Sequence, residues 1–482
     1  LRKLRFTGLA RAALVALGLA LVPSVALANG RYPLAQQLLV DPSDPTHLFL
    51  RSTYGVLSTA DTGATWSWLC ESGIGYDPGE DPMMAILGDG SVLAGASTGL
   101  FVTRDRGCSW PKDATIGERF VRDLAPESDG VHALALTVLV GEDGHYATGL
   151  WRSPDHGATW AALPSMTAHS VLPFTLDPAP SDPQRIYVTG AVLPDTNDAG
   201  TASSGDGPGA LFRSKDGGAT WEQRLIAGTS RQSAPFIAKV HPTDRDTLFV
   251  RVRGEWNGTD KVESWLLYSN DAGETWRELF RAKADMLGFA LAPDGSVLLG
   301  MGDTRDILRP VDTSVLGIYR GSPPDFAFSR SFEGQVGCLV YSGSSLYVCG
   351  GQERDGFELG ISNDDGATVA PVFRYGTVEG PLECPAGTPQ ALECAPQWTF
   401  ACRGLGQCPH VDAGAAPSAG RGTSSGCCGS ATPASNEPRT GTARLDMLPG
   451  PGAGLITVGA IGASLLRRLI RRGKRRRRRS QS

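Results

Sequence analysis

Short apolar runs alternate with polar, glycine-containing phrases along most of the chain. Gly149-Leu-Trp-Arg152, Ala210-Leu-Phe-Arg213 and Ser264-Trp-Leu-Leu-Tyr268 are each followed at once by a serine, an aspartate and a glycine. Other β-rich runs are preceded by Pro/Asp turns: Asp41-Pro-Ser-Asp-Pro-Thr-His-Leu-Phe-Leu50, Asp177-Pro-Ala-Pro-Ser-Asp-Pro-Gln-Arg-Ile-Tyr-Val188 and His241-Pro-Thr-Asp-Arg-Asp-Thr-Leu-Phe-Val250. Runs this short, rich in aromatic and β-branched residues and bounded by turn formers, predict strands joined by hairpins. No long amphipathic helical period interrupts them. The 61 glycines and 33 prolines suit many turns better than helices.

The polar phrase itself repeats. Thr59-Ala-Asp61-Thr-Gly63-Ala-Thr65-Trp66 returns as Thr103-Arg-Asp105-Arg-Gly107-Cys-Ser109-Trp110, Ser153-Pro-Asp155-His-Gly157-Ala-Thr159-Trp160, Ser214-Lys-Asp216-Gly-Gly218-Ala-Thr220-Trp221 and Ser269-Asn-Asp271-Ala-Gly273-Glu-Thr275-Trp276. A sixth copy, Ser362-Asn-Asp364-Asp-Gly366-Ala-Thr368-Val369, lacks only the tryptophan. A period of roughly 40 to 60 residues means one supersecondary unit reused, each needing neighbours to bury its apolar face. The aspartate can accept backbone N–H bonds across a tight turn, and the glycine supplies a position tolerant of φ > 0. Tryptophan at a fixed place after the turn suggests a ring wedged between units. A seventh unit follows from aligning Gly317-Ile-Tyr-Arg320 with Ala210-Leu-Phe-Arg213: Phe328 and Trp221 then stand eight residues past each arginine.

The phrase resembles the Asp-box, or BNR repeat, of sialidase-like and sortilin-like β-propellers. The resemblance implies an all-β fold, a seven-bladed β-propeller with four-stranded blades, whose boxes lie on outer turns away from the central ligand face. It implies a structural role for Asp61, Gly63, Trp66, Asp105, Gly107, Trp110, Asp155, Gly157, Trp160, Asp216, Gly218, Trp221, Asp271, Gly273, Trp276, Asp364 and Gly366. Six blades, or eight with Tyr375 to Pro381 contributing a partial one, are the alternatives.

The two ends read differently. Residues 1–28 have the form of a secretory signal peptide: Arg2, Lys3, Arg5 and Arg11, an apolar run from Ala12 to Val25, and Ala26-Leu-Ala28 as the cleavage site. Residues 29–376 are assigned to the propeller, 377–410 to a cysteine-rich cap and 411–446 to a flexible linker carrying Gly426-Cys427-Cys428-Gly429. Met447 to Leu466 is a transmembrane segment, since twenty helical residues rise about 30 Å. Residues 467–482 form a basic tail expected to stay cytoplasmic. This arrangement resembles the Gly-Cys, transmembrane, Arg-cluster sorting tail of exported myxobacterial proteins, which implies a sorting protease acting near Cys427 or Cys428. Removing four basic residues with the leader and ten with the tail leaves 31 of 45 against 50 acidic residues, a net charge of −19. Such an acidic exported portion argues against a nucleic-acid partner.

Ten cysteines in an exported chain should mostly be paired. Cys338 and Cys349 flank two short strands around Gly343-Ser344, so a cross-strand bridge is expected. Cys70 and Cys108 lie near the first two boxes and are read as tying blades 1 and 2. Cys384, Cys394, Cys402 and Cys408 form a group that would staple the terminal cap. Their spacing lacks the paired C-x-x-C units of a zinc site, and Asp195 to Asp206 matches a calcium loop poorly, with Ala199 at the fifth position. No cofactor and no metal is therefore expected. Sialidases of the resembled family carry an Arg-Ile-Pro motif that this sequence lacks. The sequence thus supports a cell-envelope-anchored propeller that is a non-catalytic binding or structural/adhesion module for an extracellular glycan or protein, with a glycoside hydrolase, sialidase-like or of the two-carboxylate propeller kind, as the alternative; catalytic residues are not identifiable.

Overall fold

The structure, a computed structural model, describes residues 32–141, 146–167, 170–193, 207–255, 261–304 and 310–404. Its strands form seven sheets in chain order around one axis. Blade 1 is β1 (Ala35–Val40), β2 (Leu48–Ser52), β3 (Gly55–Thr59) and β4 (Trp66–Leu69), followed by the short helix α1 (Glu71–Ile74). Blade 2 is β5 (Met83–Ile86), β6 (Val92–Ala96) and β7 (Gly99–Thr103). Blade 3 is β8 (Phe120–Pro126), β9 (Ala133–Val140), β10 (Tyr146–Ser153) and β11 (Ala161–Ala162); blade 4 is β12 (Val171–Ala179), β13 (Asp182–Val192), β14 (Pro208–Ser214) and β15 (Glu222–Ser230). Blade 5 is β16 (Ala234–Val240), β17 (Leu248–Arg253), β18 (Ser264–Ser269) and β19 (Arg277–Ala282); blade 6 is β20 (Asp285–Leu291), β21 (Val297–Gly302), β22 (Gly317–Gly321) and β23 (Ser329–Phe332). Blade 7 is β24 (Cys338–Ser342), β25 (Ser345–Cys349), helix α2 (Gln352–Asp355), β26 (Leu359–Ser362) and β27 (Ala370–Phe373). The protein is a seven-bladed β-propeller.

Each blade is sandwiched between two others, and the middle strands show it. Every residue of β2, β3, β6 and β7 is buried, which is why these runs read as continuous apolar stretches rather than as alternation. The outer strands face solvent on one side, as in the Arg277–Ala282 strand, where no residue is fully buried. Along the inner strands β1, β8, β12, β16 and β20 a register shift recurs. Such bulges bend the strand at the crowded axis and free one N–H for a bond to the neighbouring blade.

Two blades depart from the expected four strands. In blade 2 the fourth strand shrinks to one bridge, Phe101 to Lys112, because Pro111 has no N–H to donate and offers only its carbonyl, to Val102 N at 3.1 Å. Blade 1 gains a fifth strand, β28 (Val378–Pro381), which pairs parallel to β4. Tyr375 to Pro381 therefore extends blade 1 and starts no eighth blade.

The chain then runs into helix α3 (Pro389–Gly404), and two disulfides fix this segment: Cys108–Cys384 and Cys70–Cys394. This corrects the expected pairing. Cys70 and Cys108 do not tie blades 1 and 2 to each other, and Cys384 and Cys394 do not staple a cap upon itself. The physical reason is closure: completing the ring brings the C-terminal segment beside blade 1, so partners 324 and 276 residues apart in sequence become neighbours. Cys338–Cys349 joins β24 to β25 across directly opposed positions, and Cys402 is also disulfide-bonded. Three such bonds point to an oxidising, extracellular environment. Among the described residues no helix is long and apolar enough to cross a membrane. The leader with Ala28, Asp195 to Asp206, Cys408, Cys427, Cys428, Met447 to Leu466 and the basic tail lie outside the described residues.

Candidate functional site

The box turns occupy one end of the blades. In blade 4, Ser214 Oγ accepts from Gly218 N (2.8 Å) and donates to Asp216 Oδ1 (2.8 Å). Asp216 Oδ1 also accepts from Thr220 N at 2.8 Å, and Trp221 Nε1 donates to Gly218 O at 3.1 Å. The bonds to the aspartate recur around Asp61, Asp155, Asp271 and Asp364, and around Asp105 with Ser109 N as donor, while the indole bond recurs at Trp66 and Trp110. Hydrogen bonds to the ionised form stabilise it: the Thr59 and Thr65 side chains hold Asp61 down to about 2, and Thr220 and Thr368 do the same for Asp216 and Asp364. A carboxylate so held is a poor proton donor at neutral pH.

Two consecutive residues of each turn take positive φ, where only the glycine was expected to. The residue before it does so too: Thr62 (60°), Arg106 (59°), His156 (54°), Gly217 (69°), Ala272 (58°) and Asp365 (53°). This geometry aims an N–H at the turn between the first two strands of the same blade, as in Thr62 N to Thr46 O and Ala272 N to Asp246 O, both 2.8 Å. The box glycine meets the preceding blade. A Cβ on Gly273 would lie 2.3 Å from Leu211 of blade 4, and one on Gly63 would lie 2.7 Å from Val372 of blade 7. The tryptophans fill the same seams: Trp66 is 1% exposed, with its ring 4.9 Å from that of Phe373, while Trp110 and Trp160 are buried and Trp221 and Trp276 only partly so. In blade 6, Phe328 packs on Phe280 at 5.3 Å, and Phe326, at φ 52°, reaches between Phe249 and Tyr268 of blade 5.

At the opposite end, where first strands begin and second strands finish, a cavity of about 190 Å³ opens on the axis. Its walls are Leu34 to Gln37 and Arg51 of blade 1, Met83 of blade 2, Arg251 of blade 5, Leu287, Asp303 and Thr304 of blade 6, and Gln335 and Gly337 of blade 7. A smaller cavity of about 30 Å³ adjoins it between blades 5 and 6 and shares Arg251, Leu287 and Thr304. Two glutamines make the same reciprocal clamp on a neighbouring blade: Gln37 with the backbone of Met84 (2.8 and 3.3 Å) and Gln335 with that of Asp303 (2.8 and 2.9 Å). Two arginines share a second device. Arg51 Nη1 donates to Pro82 O (2.8 Å) and Arg251 Nη1 to Met286 O (2.7 Å), each stitching a second strand to the start of the next blade. The Arg251 guanidinium also lies over the Phe236 ring, 5.7 Å from its centre.

Two carboxylates nearby are committed to the framework. Asp285 accepts from Arg253 Nε at 3.0 Å, and Glu358 accepts from the backbone N–H groups of Ala35 and Gln352, both at 3.0 Å. On the first strand of blade 3, burial pushes Asp123 up to about 7, even though it accepts from Leu124 N (2.9 Å) and Leu176 N (2.8 Å). Burial also raises Asp177, which accepts from Val240 N. Among the described residues, no group of three or more His, Cys, Asp or Glu could hold a metal ion. The arrangement sets guanidinium and amide groups, each tied to the backbone of a neighbouring blade, around a cavity whose wall includes Leu34, Met83 and Leu287.

Sequence reasoning missed these mouth residues, yet a signal was present. Arg51 and Arg251 end the matched runs Leu48-Phe-Leu-Arg51 and Leu248-Phe-Val-Arg251, and an arginine at the same place in two buried strands asks for a partner.

One family model and several solved structures are similar to this chain. The Sortilin-Vps10 family model (sortilin, neurotensin receptor 3) matches residues 148–300 of the 482. No curated protein matches the chain in sequence. Among solved structures, a GH74 enzyme of Niastella koreensis is similar at 14% identity, covering 70% of this chain and 65% of its own, with a TM-score of 0.37. A GH74 xyloglucanase from Xanthomonas campestris shows 18% identity, 74% and 53% coverage and a TM-score of 0.35. YCF48 from Cyanidioschyzon merolae shows 13% identity, 66% and 93% coverage and a TM-score of 0.40. The chain thus spans less than two thirds of the length of both GH74 structures. It is a seven-bladed propeller in which blades 4 and 5, with the edges of blades 3 and 6, match the Sortilin-Vps10 model.

Proposed function

We propose that the chain is an exported propeller, anchored at least transiently in the cell envelope by Met447 to Leu466 until the tail is processed, whose axial mouth binds an extracellular protein or glycan without turning it over. The observation that carries this reading is the mouth cavity of about 190 Å³, lined by Arg51, Arg251, Gln37 and Gln335. A concavity with apolar walls and a few fixed polar groups is the usual form of a binding site. The engagement of Asp285 by Arg253 and of Glu358 by backbone N–H groups supports a non-catalytic role, because neither is left as a general acid or nucleophile. The family model matched by residues 148–300 is named for a neurotensin receptor, which favours a peptide or protein over a glycan.

Screening the full chain against peptide, sialoside and polysaccharide panels tests this. Saturable binding without product release is expected, weakened at least tenfold by Arg251→Ala. Turnover abolished by Asp303→Asn would replace the binding reading with a glycosidase. For localisation, mass spectrometry of the mature protein should find an N-terminus at Asn29 and a C-terminus near Cys427 or Cys428. Recovery of Arg475 to Arg479 on the surface protein would exclude processing of the tail.

A further inference from the structure

Blades 1 and 7 are the first and last made, and no strand of one is woven into the other. Their seam is held by a shared apolar core in which Trp66 and Trp68 of blade 1 meet Tyr347, Leu359 and Phe373 of blade 7. Ala35 N adds one bond across it, to Glu358 Oε1 at 3.0 Å. The segment after blade 7 belongs to this core as well: Tyr375, Val378, Cys394 and Ala401 are buried in it, and Trp398 lies 5.7 Å from Trp68. Beyond the four-residue strand β28, this segment is attached to blades 1 and 2 covalently, by Cys70–Cys394 and Cys108–Cys384. The same seam carries part of the mouth, since Leu34 to Gln37 stand on one side of it and Gln335 and Gly337 on the other.

We propose that these two disulfides form a thiol-operated lock on the seam between blades 7 and 1, whose opening loosens the wall of the mouth. The bonds differ in access, so the lock opens in order. Cys70 and Cys394 are 0% exposed, whereas Cys108 is 9% exposed and Cys384 is half-buried. A dithiol reductant meets Cys108–Cys384 first. One thiolate of the reductant attacks a sulfur of this bond to form a mixed disulfide and releases the other cysteine as a thiol. The second thiol of the reductant then displaces the first cysteine, so two electrons and two protons pass to the protein and the reductant leaves as its own disulfide. With Cys384 released, the segment is free to lift β28 off β4 and expose Cys70–Cys394 to the same exchange.

The test uses the full chain and graded dithiothreitol, with alkylation and mass spectrometry to identify open bonds and hydrogen exchange to read each blade. Alkylation at Cys108 and Cys384 should precede that at Cys70 and Cys394. Once both bonds are open, exchange in β1, β24 and β28 should accelerate at least tenfold, with less than twofold change in β12 and β16. Because Cys338–Cys349 also lies in blade 7, the Cys338→Ser/Cys349→Ser variant should show the same response. Equal acceleration in all seven blades, an unchanged seam after both bonds open, or a seam already loose in that variant with nothing added by reductant would each overturn the proposal.

Discussion

At the level of single residues, the box separates side chains that hold the turn from those that hold the seam. Thr62 is exposed, β-branched and at φ 60°, a conformation that costs an L-residue roughly 1–2 kcal/mol. Replacing it by glycine gives back part of that cost to chain entropy, so Thr62→Gly should raise stability by about 0.5–1 kcal/mol in chemical denaturation. Trp66→Ala should lower it by about 3–5 kcal/mol, because the ring is wholly buried against Phe373. The titrating groups act in opposite senses. Asp61, Asp216 and Asp364 sit near 2 when folded against an ordinary 3.8, so their contribution is present above pH 3.8 and is lost as pH falls toward 2. Asp123 sits near 7, so between 3.8 and 7 the folded chain binds more protons than the unfolded one, and this group's contribution falls as pH rises. Asp123→Asn keeps an acceptor for only one of Leu124 N and Leu176 N, which bond different carboxylate oxygens, so it should lower the melting temperature at every pH and also flatten its decline between pH 4 and 7; an unchanged slope would contradict this assignment. The aspartate and glycine of each box were legible because their chemistry is local. The residue before the glycine was not, since Thr, Arg, His, Ala and Asp share no signature for positive φ and are placed there by the bond to the neighbouring turn.

Among the elements, the repeat made the blades legible and hid their exceptions. Seven units could be found because each pairs an apolar run with a turn, and even blade 6, with Pro323 and Asp325 where the box has its Asp and Gly, kept Tyr319-Arg320 and Phe328. Phe326 escaped notice because its partners, Phe249 and Tyr268, belong to the previous blade. The missing fourth strand of blade 2 was readable from Pro111 in hindsight, but Trp110 before it keeps the box intact and masks the loss. The box glycines yield a prediction at this scale. Gly273→Ala puts a Cβ 2.3 Å from Leu211 at φ 85°, combining a steric clash between blades with a strained backbone, and should lower the melting temperature more than Gly343→Ala, whose Cβ would meet nothing within 4 Å.

Across the whole molecule, closure was the part the sequence did not disclose. Contacts between residues 324 positions apart leave no periodic trace, and the nine possible partners for each of the ten cysteines look alike in a linear reading. The mouth was equally hidden, because it is assembled from single residues of five blades rather than from one motif. A further consequence follows from the way each box glycine rests on a side chain of the blade before it: Gly107 on Leu69, Gly157 on Leu93, Gly218 on Leu163, Gly273 on Leu211 and Gly366 on Ile318. A ribosome delivers the blades in that same order, so each of these boxes emerges after the surface it needs. Gly63 alone leans on a residue, Val372, that is synthesised more than three hundred positions later. The nascent chain can therefore stack its blades as they appear, with blade 1 exposing an unsupported flank until synthesis is nearly finished.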